Sequence, residues 1–447
     1  IPENEGKLTL STWNNHAVVL GENGRLQVSE DRDSSNSVLL EKEIIENGLE
    51  EAVKAAKESD VAIVFVGNNP VVNGKEEIDR PDITLAQAQE RLIKEVYKVN
   101  PNTIVVVVGS YPFAINWVDD NIPAILYTSH GGQELGNAIS DVLFGDYNPA
   151  GRLNMTWYRS VSQLTDILDY DIIKGKRTYQ YFDGDVLYPF GHGKSYSNFE
   201  YSNLRLNASE INEHEEVTIR VNVKNKDAFA GDEVVQLYFR SLDSRFQRPL
   251  KQLIGFKRVS IKAGESQEVQ FTIDASELAV WDVTRDKYCV ESGVYEFLVG
   301  KSSSDIQLEE RLKVNGETIP LRNLNANTRA ENYDDYQGTF INECKEGGHS
   351  VQMKTGSWIM FSDVDTCRGL QSIEVRAATQ SEKAEIDIYL DHLGGKKIGR
   401  LVVNNTGGSQ SWHTVTGPVT LPKNTQNAKI YFVSNGELLV SYFRFLA

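Results

Sequence analysis

Cysteine is scarce in this sequence: Cys289, Cys344 and Cys367 are the only three in 447 residues. They are too few for a disulfide scaffold, and no CxxC spacing marks a structural zinc site. Cys344 and Cys367 could pair, and the count does not decide the redox compartment. Long apolar runs are absent as well. A membrane helix needs roughly 18 consecutive apolar residues, whereas the longest candidate, Ile104 to Val108, has the length of a buried strand. Positive charge is in deficit, with 46 Lys plus Arg against 63 Asp plus Glu and a net charge of −17. That balance excludes nucleic acid or an anionic membrane as the main partner, because phosphate binding needs clustered Lys and Arg. The opening IPENEGKLTL has no basic segment followed by an apolar one, so it does not read as a signal peptide. The seven histidines show no HExxH spacing, no GxSxG elbow occurs, and Glu76 follows Lys75 where a phosphate loop needs Ser or Thr. No metal and no cofactor is expected on these grounds.

What is present is a composition ordinary for globular chains, 40% hydrophobic and 9% aromatic. The length suggests two to four domains of roughly 100–200 residues. Residues 1–40 read as short strands, KLTLST, HAVVLG and RLQVSE, separated by turns and lacking a core partner. They look like the tail of a β module that begins upstream. Residues 41–195 alternate helix and strand. In EKEIIENGLEEAVKAAKESD, Ile45, Leu49, Val53 and Ala56 recur at helical spacing. The strand VAIVFVGNN follows, then helix AQAQERLIKEVYKVN, strand NTIVVVVGS, strand IPAILYTS and helix GQELGNAISDVLFG, which ends at Gly145. Strands apolar on both faces between helices predict a mostly parallel sheet in an α/β sandwich. Ligands of such sheets bind beyond the carboxyl ends of the strands, here the loops 67–84, 109–117 and 129–134.

Residues 196–316 lose the helices. VTIRVNVKN, EVVQLYFRS, SQEVQFTID and GVYEFLVG alternate with period two and predict a β-sandwich of immunoglobulin or fibronectin kind. Residues 317–447, with SIEVRAAT, AEIDIYLD, KIGRLVVNN, AKIYFVS and LLVSYFRF, predict a second β-sandwich or jelly roll. GETIPLRNLNANT is the expected linker. The fold class is therefore multidomain, an α/β sandwich followed by two β-sandwich domains.

The densest polar cluster is GNNPVVNGKEEIDRPDITL after the first parallel strand. Glu76 and Glu77 precede Asp79 and Arg80. A carboxyl group on such a loop can serve as general acid, since partial burial keeps it protonated near neutral pH, and an adjacent Arg can hold substrate hydroxyls. The bland reading is a solvated acidic loop with an Asp–Arg bridge. In TSHGGQELGN, His130 and Glu134 could bind sugar hydroxyls, or the glycines make a tight turn and the acid supports the helix start. Aromatics in RTYQYFDGDVLYPFGHGKSY could line a sugar site, but such a stretch more often packs as an interdomain linker.

Residues 42–315 resemble the C-terminal half of family 3 glycoside hydrolases. The resemblance rests on DVLFGDYNPAGRL with the following TWYRS, on YFDGDVLYPFGHGKSYSNFEYSNLRL, and on GDEVVQLYFR and KQLIGFKRVSIKAGES. GNNPVVNGKEEIDRPD, with Gln89 downstream, resembles the family's acid/base loop, which makes Glu76 the implied general acid/base and Glu77 its shifted alternative. The resemblance implies a retaining, two-carboxylate mechanism, with an Asp nucleophile on an N-terminal TIM-like barrel. No run of strand–helix units precedes residue 42, so the barrel is expected as a separate or removed polypeptide and as the chain's partner. The substrate implied is a β-linked oligosaccharide or glycoside, with terminal β-D-glucosyl residues leading and β-xylosidase or arabinopyranosidase activity as alternatives. Residues 7–33 resemble the end of a β-trefoil-like inserted module. Residues 326–447 resemble a family 6 carbohydrate-binding module through AENY, GGHSVQMKTGSWI, IGRLVVNNTGGSQSWHTV and SYFRF. That family's sugar-binding aromatics fall at Met353 and Ser409 here and its terminal Asn at Leu439, while Trp412 takes a core position. Its calcium ligands fall at Arg329 and Ser441, leaving Glu331. Sugar binding at the usual loop is therefore not expected. A rival reading is a non-catalytic carbohydrate-binding protein built of β modules. The appended module points towards export, and nothing else in the sequence bears on location.

Overall fold

The computed structural model describes all residues except 1–2, 5–6, 13, 15, 30–36, 42, 70–79, 366–369 and 423–426. It divides into two compact units, Ile1–Ala138 with Tyr158–Gln163, and Ile139–Trp157 with Leu164–Ala447.

The first unit is built on helix α1 (Gly48–Lys57), strand β1 (Ala62–Gly67), helix α2 (Gln87–Val99), strand β2 (Thr103–Val108), the short helix α3 (Asn116–Asn121) and strand β3 (Ala124–Thr128). The strands lie in the order β1–β2–β3 and every pairing is parallel. Ala62, Val64 and Val66 alternate inward on β1 while Ile63 and Phe65 are exposed, so β1 buries one face. Only central β2, with Val105, Val106 and Val107 fully buried, has the cover on both faces that the apolar runs predicted. Helix α2 buries Ile93 and Val96 and packs on α1, β1 and β2. One side chain joins the helix ends: Asn100, buried at the end of α2, donates from Nδ2 to the carbonyls of Ala56 (3.0 Å) and Ser59 (2.9 Å).

Helix α1 starts later than its apolar spacing suggested. Asn47 caps it, accepting from the Glu50 amide, so Ile45 falls outside the helix and is 93% exposed. An Asn followed three residues later by Glu is a stronger start signal than one more apolar residue upstream. After β3, a 3₁₀ turn at Gly132–Glu134 leads into helix α4 (Leu135–Phe144), which ends at Gly145 in the left-handed region, φ +82°. Ahead of α1, Val18–Leu20 and Leu26–Val28 form an antiparallel hairpin whose Leu20, Leu26 and Val28 are all exposed.

The second unit holds two β-sandwiches. In the first, strands Ser266–Asp274, Glu216–Asn225 and Phe199–Leu206 form one sheet. Glu210–Asn212, Ile306–Asn315, Gly293–Gly300, Gly231–Ser241 and Gln252–Ile261 form the other. Val217, Val221, Leu237 and Phe297 fill the space between them. In the second sandwich, Trp358–Val364, Ala428–Ser434, Lys383–Leu390 and Lys396–Asn404 face a sheet centred on His349–Met353, Leu438–Leu446 and Ser372–Ala378. Phe361, Phe432 and Phe443 meet in its core, with ring centroids 4.6 to 5.8 Å apart. The aromatic stretch before the first sandwich is packed: Tyr179 stacks on Phe190 at 4.3 Å and meets Tyr238 edge-on.

The stretch 316–328, expected as a linker, is built into the structure. Arg322 is buried against Asp334 (2.9 Å) and lies over the Phe361 ring, and Leu324 belongs to the second core. Arg245 of the first sandwich reaches Asp363 of the second at 2.8 Å. Of the three cysteines, Cys289 and Cys344 are buried free thiols, so Cys344 makes no disulfide, and Cys367 lies outside the described residues. At the positions where the family 6 resemblance places calcium ligands, the Arg329 guanidinium lies 3.6 Å from Glu331, and Ser441 accepts from the Cys344 thiol. An arginine paired with the one remaining carboxylate puts positive charge where a cation would need negative ligands. The residues present do not fit a metal.

Two predictions follow from these charges. Arg400 and Lys397 hold the Asp387 carboxyl down to about 2, with Arg400 bonding both of its oxygens. A lowered carboxyl stabilises the fold above its ordinary value and loses that contribution as pH falls. The urea midpoint of the second sandwich should therefore drop between about pH 4 and about pH 2, and Asp387→Asn should flatten that slope. Chelation with EDTA should leave the same midpoint unchanged, whereas Arg329→Ala should lower it.

Candidate functional site

Parallel pairing brings the three strand ends together. Gly67 pairs with Val108, and Val108 with Thr128, so the chain leaves the sheet side by side at Asn68, Gly109–Ser110 and Ser129–His130. The first exit is the most constrained. Gly67 has φ +145°, and a Cβ there would lie 1.8 Å from the Val108 carbonyl oxygen, so no other residue fits. Its carbonyl accepts a hydrogen bond from Gln89 Nε2 at 2.9 Å. The first turn of α2 thus holds the strand end from which the acidic loop departs.

His130 ties the three exits to one another. Its Nε2 faces the Asn68 carbonyl at 3.4 Å and its Nδ1 faces Ser110 Oγ at 2.9 Å. A carbonyl only accepts, so Nε2 carries a proton and donates, and Nδ1 shares a hydrogen bond with the Ser110 hydroxyl. Both ring nitrogens of this exposed histidine are engaged. Glu134, also exposed, accepts from Asn137 Nδ2 at 2.5 Å inside the helix start. Of its two sequence readings, that contact matches support of the helix N-terminus. The structure therefore places His130 on the rim and Glu134 one turn further along.

Glu76, Glu77 and Asp79 lie outside the described residues. Arg80, which closes that loop, is described. Its guanidinium sits 4.8 Å from the Tyr111 ring centroid and 5.0 Å from that of Phe113, and Nη2 donates to the Pro112 carbonyl at 3.4 Å. The loop after β2 thus grips the end of the loop after β1 by stacking. Burial lowers the Arg80 pKa, against the opposing effects of Tyr111 and Asp82. Arg80 Nη1, Asn68 Oδ1 and Gln89 Oε1 are buried without a hydrogen-bond partner among the described residues. Such atoms are costly to leave unpaired. Asn68 and Arg80 flank the acidic loop directly, so two of the three orphaned polar groups stand at its two ends.

Sequence reasoning missed Ser110, Tyr111 and Phe113 as site residues. Their one signal was position in a loop after a parallel strand, which marks many residues equally. In the second sandwich, the positions that resemblance makes sugar-binding hold Met353 and Leu439, both buried, and the exposed Ser409. Trp412 is buried in a small cluster with Cys344, Ala378 and Leu439.

Comparison with known proteins agrees with this layout. The glycosyl hydrolase family 3 C-terminal domain matches residues 7–196, a fibronectin type III-like domain matches 233–303, and a family 6 carbohydrate binding module matches 329–446. Thermostable beta-glucosidase B of Acetivibrio thermocellus is 37% identical over 290 residues, which are 62% of this chain and 38% of that enzyme. A beta-xylosidase of Formosa agariphila is 39% identical over 259 residues, 57% of this chain and 36% of that protein. The chain thus spans less than two-fifths of these relatives' length. Among solved structures, the Bifidobacterium adolescentis GH3 beta-glucosidase superposes with a TM-score of 0.57 at 29% identity, covering 61% of this chain and 42% of that one. The Kluyveromyces marxianus beta-glucosidase in complex with glucose gives 0.55 at 32%, covering 62% and 34%. Residues 7–196 are therefore similar to the C-terminal domain of family 3 glycoside hydrolases, residues 233–303 to a fibronectin type III-like domain and residues 329–446 to a family 6 carbohydrate binding module.

Proposed function

We propose that this chain supplies the general acid/base to a retaining exo-β-glycosidase that releases terminal non-reducing β-D-glucosyl residues. Glu76 protonates the leaving oxygen and then activates water against the glycosyl-enzyme, with Glu77 as the alternative acid. The nucleophilic Asp comes from a TIM-like barrel outside these residues, and that barrel is the chain's partner. One observation carries the reading: the loop with Glu76 departs from the carboxyl end of β1, at a sheet edge where α/β folds bind ligands, within the stretch matched by the family 3 domain. The hold of Tyr111 and Phe113 on the Arg80 guanidinium at the end of that loop supports a role for Arg80 in holding a substrate hydroxyl. Glu134 and His130 line the outer rim, where His130 acts mainly by fixing the loop exits. Glucose is put first because relatives from Acetivibrio, Salmonella and Kluyveromyces are named β-glucosidases. A β-xylosidase is the second reading, favoured by the Formosa relative.

Nitrophenyl β-glucoside and β-xyloside turnover, measured with the barrel polypeptide present, tests this. Glu76→Gln should slow substrates with poor leaving groups by about 10²–10⁴-fold, with partial rescue on activated aryl glycosides and by azide. The same phenotype in Glu77→Gln, with Glu76→Gln active, moves the role to Glu77. Turnover unaffected by either substitution refutes the reading. Gly67→Ala should cost about 3 kcal/mol or more, seen as a lost folding transition or lost soluble yield.

A further inference from the structure

Two aromatic rings flank the Arg80 guanidinium, and they are placed differently. Phe113 is fully buried, its ring packed so closely on Gly109 that a Cβ there would lie 2.8 Å away. Tyr111, two residues earlier on the same loop, is 44% exposed. The junction between the loops after β1 and β2 is closed without it. Arg80 Nη2 donates to the Pro112 carbonyl at 3.4 Å, the Ala114 amide donates to the Ile83 carbonyl at 2.9 Å, and the Phe113 ring centroid lies 5.0 Å from the guanidinium. A single exposed aromatic is ordinary on a protein surface; the place of this one is not. Its neighbour Ser110 and the His130 bonded to Ser110 are exposed as well, and all three stand at the carboxyl ends of the strands, where α/β sheets bind ligands.

In the reaction proposed for this site, the bond between the anomeric carbon and the glycosidic oxygen breaks, and that oxygen takes the proton of the acid as it leaves. The general acid therefore stands on the leaving group's side of the scissile bond, and the nucleophile stands across it. Arg80 closes the acid's own loop and Tyr111 grips Arg80, so both belong to the acid's side. Their chemistry suits a leaving group. An exposed aromatic face takes an apolar ring or the C–H face of a sugar, and a guanidinium donates to hydroxyl oxygens. With 4.8 Å between the Tyr111 centroid and the Arg80 guanidinium, one ring-sized group can meet both.

We propose that Tyr111 is a specificity-determining residue for the leaving group: its exposed ring stacks on the ring attached to the leaving oxygen, while Arg80 meets the hydroxyls where that ring is a sugar. This rests on the acid/base reading and deepens it. Preference among leaving groups is set by the loop after β2 of this chain, whereas the choice between a glucosyl and a xylosyl unit is set on the nucleophile's side of the bond.

The test compares methyl and benzyl β-glucosides, with the barrel polypeptide present. Methanol and benzyl alcohol are of similar acidity, so both substrates ask the same of the acid and differ in the ring offered to Tyr111. Tyr111→Ala should lower the benzyl-to-methyl ratio of kcat/KM by about three- to tenfold. Tyr111→Phe keeps the ring and should stay within about twofold of the parent ratio. The ratio of benzyl β-glucoside to benzyl β-xyloside should not change in either variant. Such ratios cancel the active fraction, so a partly misfolded variant does not mimic the result. Equal loss on both glucosides overturns the proposal, because Tyr111 would then only steady Arg80. An unchanged benzyl-to-methyl ratio overturns it, as does a shift confined to the glucoside-to-xyloside ratio. If Tyr111→Ala shifts the benzyl-to-methyl ratio while Glu76→Gln and Glu77→Gln leave turnover intact, the acid assignment falls and the leaving-group site stands. The reverse pattern sinks the Tyr111 proposal alone, and absence of any turnover sinks both.

Discussion

The layout of the loop exits in the first unit depends on parallel strand registry. Because β1, β2 and β3 run the same way and pair in step, Gly67, Val108 and Thr128 end on one line. The loops that follow have no choice but to emerge together. Single contacts then suffice to fix their relative positions: one histidine spanning Asn68 and Ser110, one arginine stacked on Tyr111 and Phe113, and one glutamine on the Gly67 carbonyl. The glycine is the least replaceable member, since a neighbouring carbonyl occupies the space its Cβ would take.

The second unit works by different means. Its two sandwiches each bury a large apolar core, while their junction is made of charges: Arg245 with Asp363, Arg322 with Asp334, and Arg285 with both Asp282 and Glu317. Charge-assisted hydrogen bonds from these buried or half-buried arginines are directional and hold orientation better than apolar contact, which tolerates sliding. The carbohydrate-binding fold is thereby fixed to its neighbour, and its customary sugar positions are closed by Met353 and Leu439. Beside Glu331, where the family 6 resemblance puts a cation, stands the Arg329 guanidinium.

The sequence and the structure agree best where a signal is periodic and local. Two-sided apolar runs located β1, β2 and β3, and alternation located the sandwich strands, because side-chain burial repeats with the backbone's own period. Agreement fails where a decision is made by one contact. The helix start at Asn47 against the apolar Ile45 turned on a single cap. The stretch 316–328 looked like a polar tether because nothing in it tells that Arg322 meets Asp334 and a phenylalanine ring. Short helix α3 has too few residues to show a period.

By itself, the sequence determined the order of fold types, the acidic loop ending in Arg80, the absence of zinc-binding and phosphate-loop spacings, and the loss of sugar-binding aromatics from the last module. These are properties of residue type and spacing, and both are complete in one dimension. Only tertiary structure decided that His130 bridges Ser110 and Asn68, and that Tyr111 and Phe113 clasp Arg80. The bridge and the clasp join residues 20 or more apart in the chain through contacts a few ångströms long. Which distant residues meet is set by how strands align and helices cross, and that information exists only once the chain has folded.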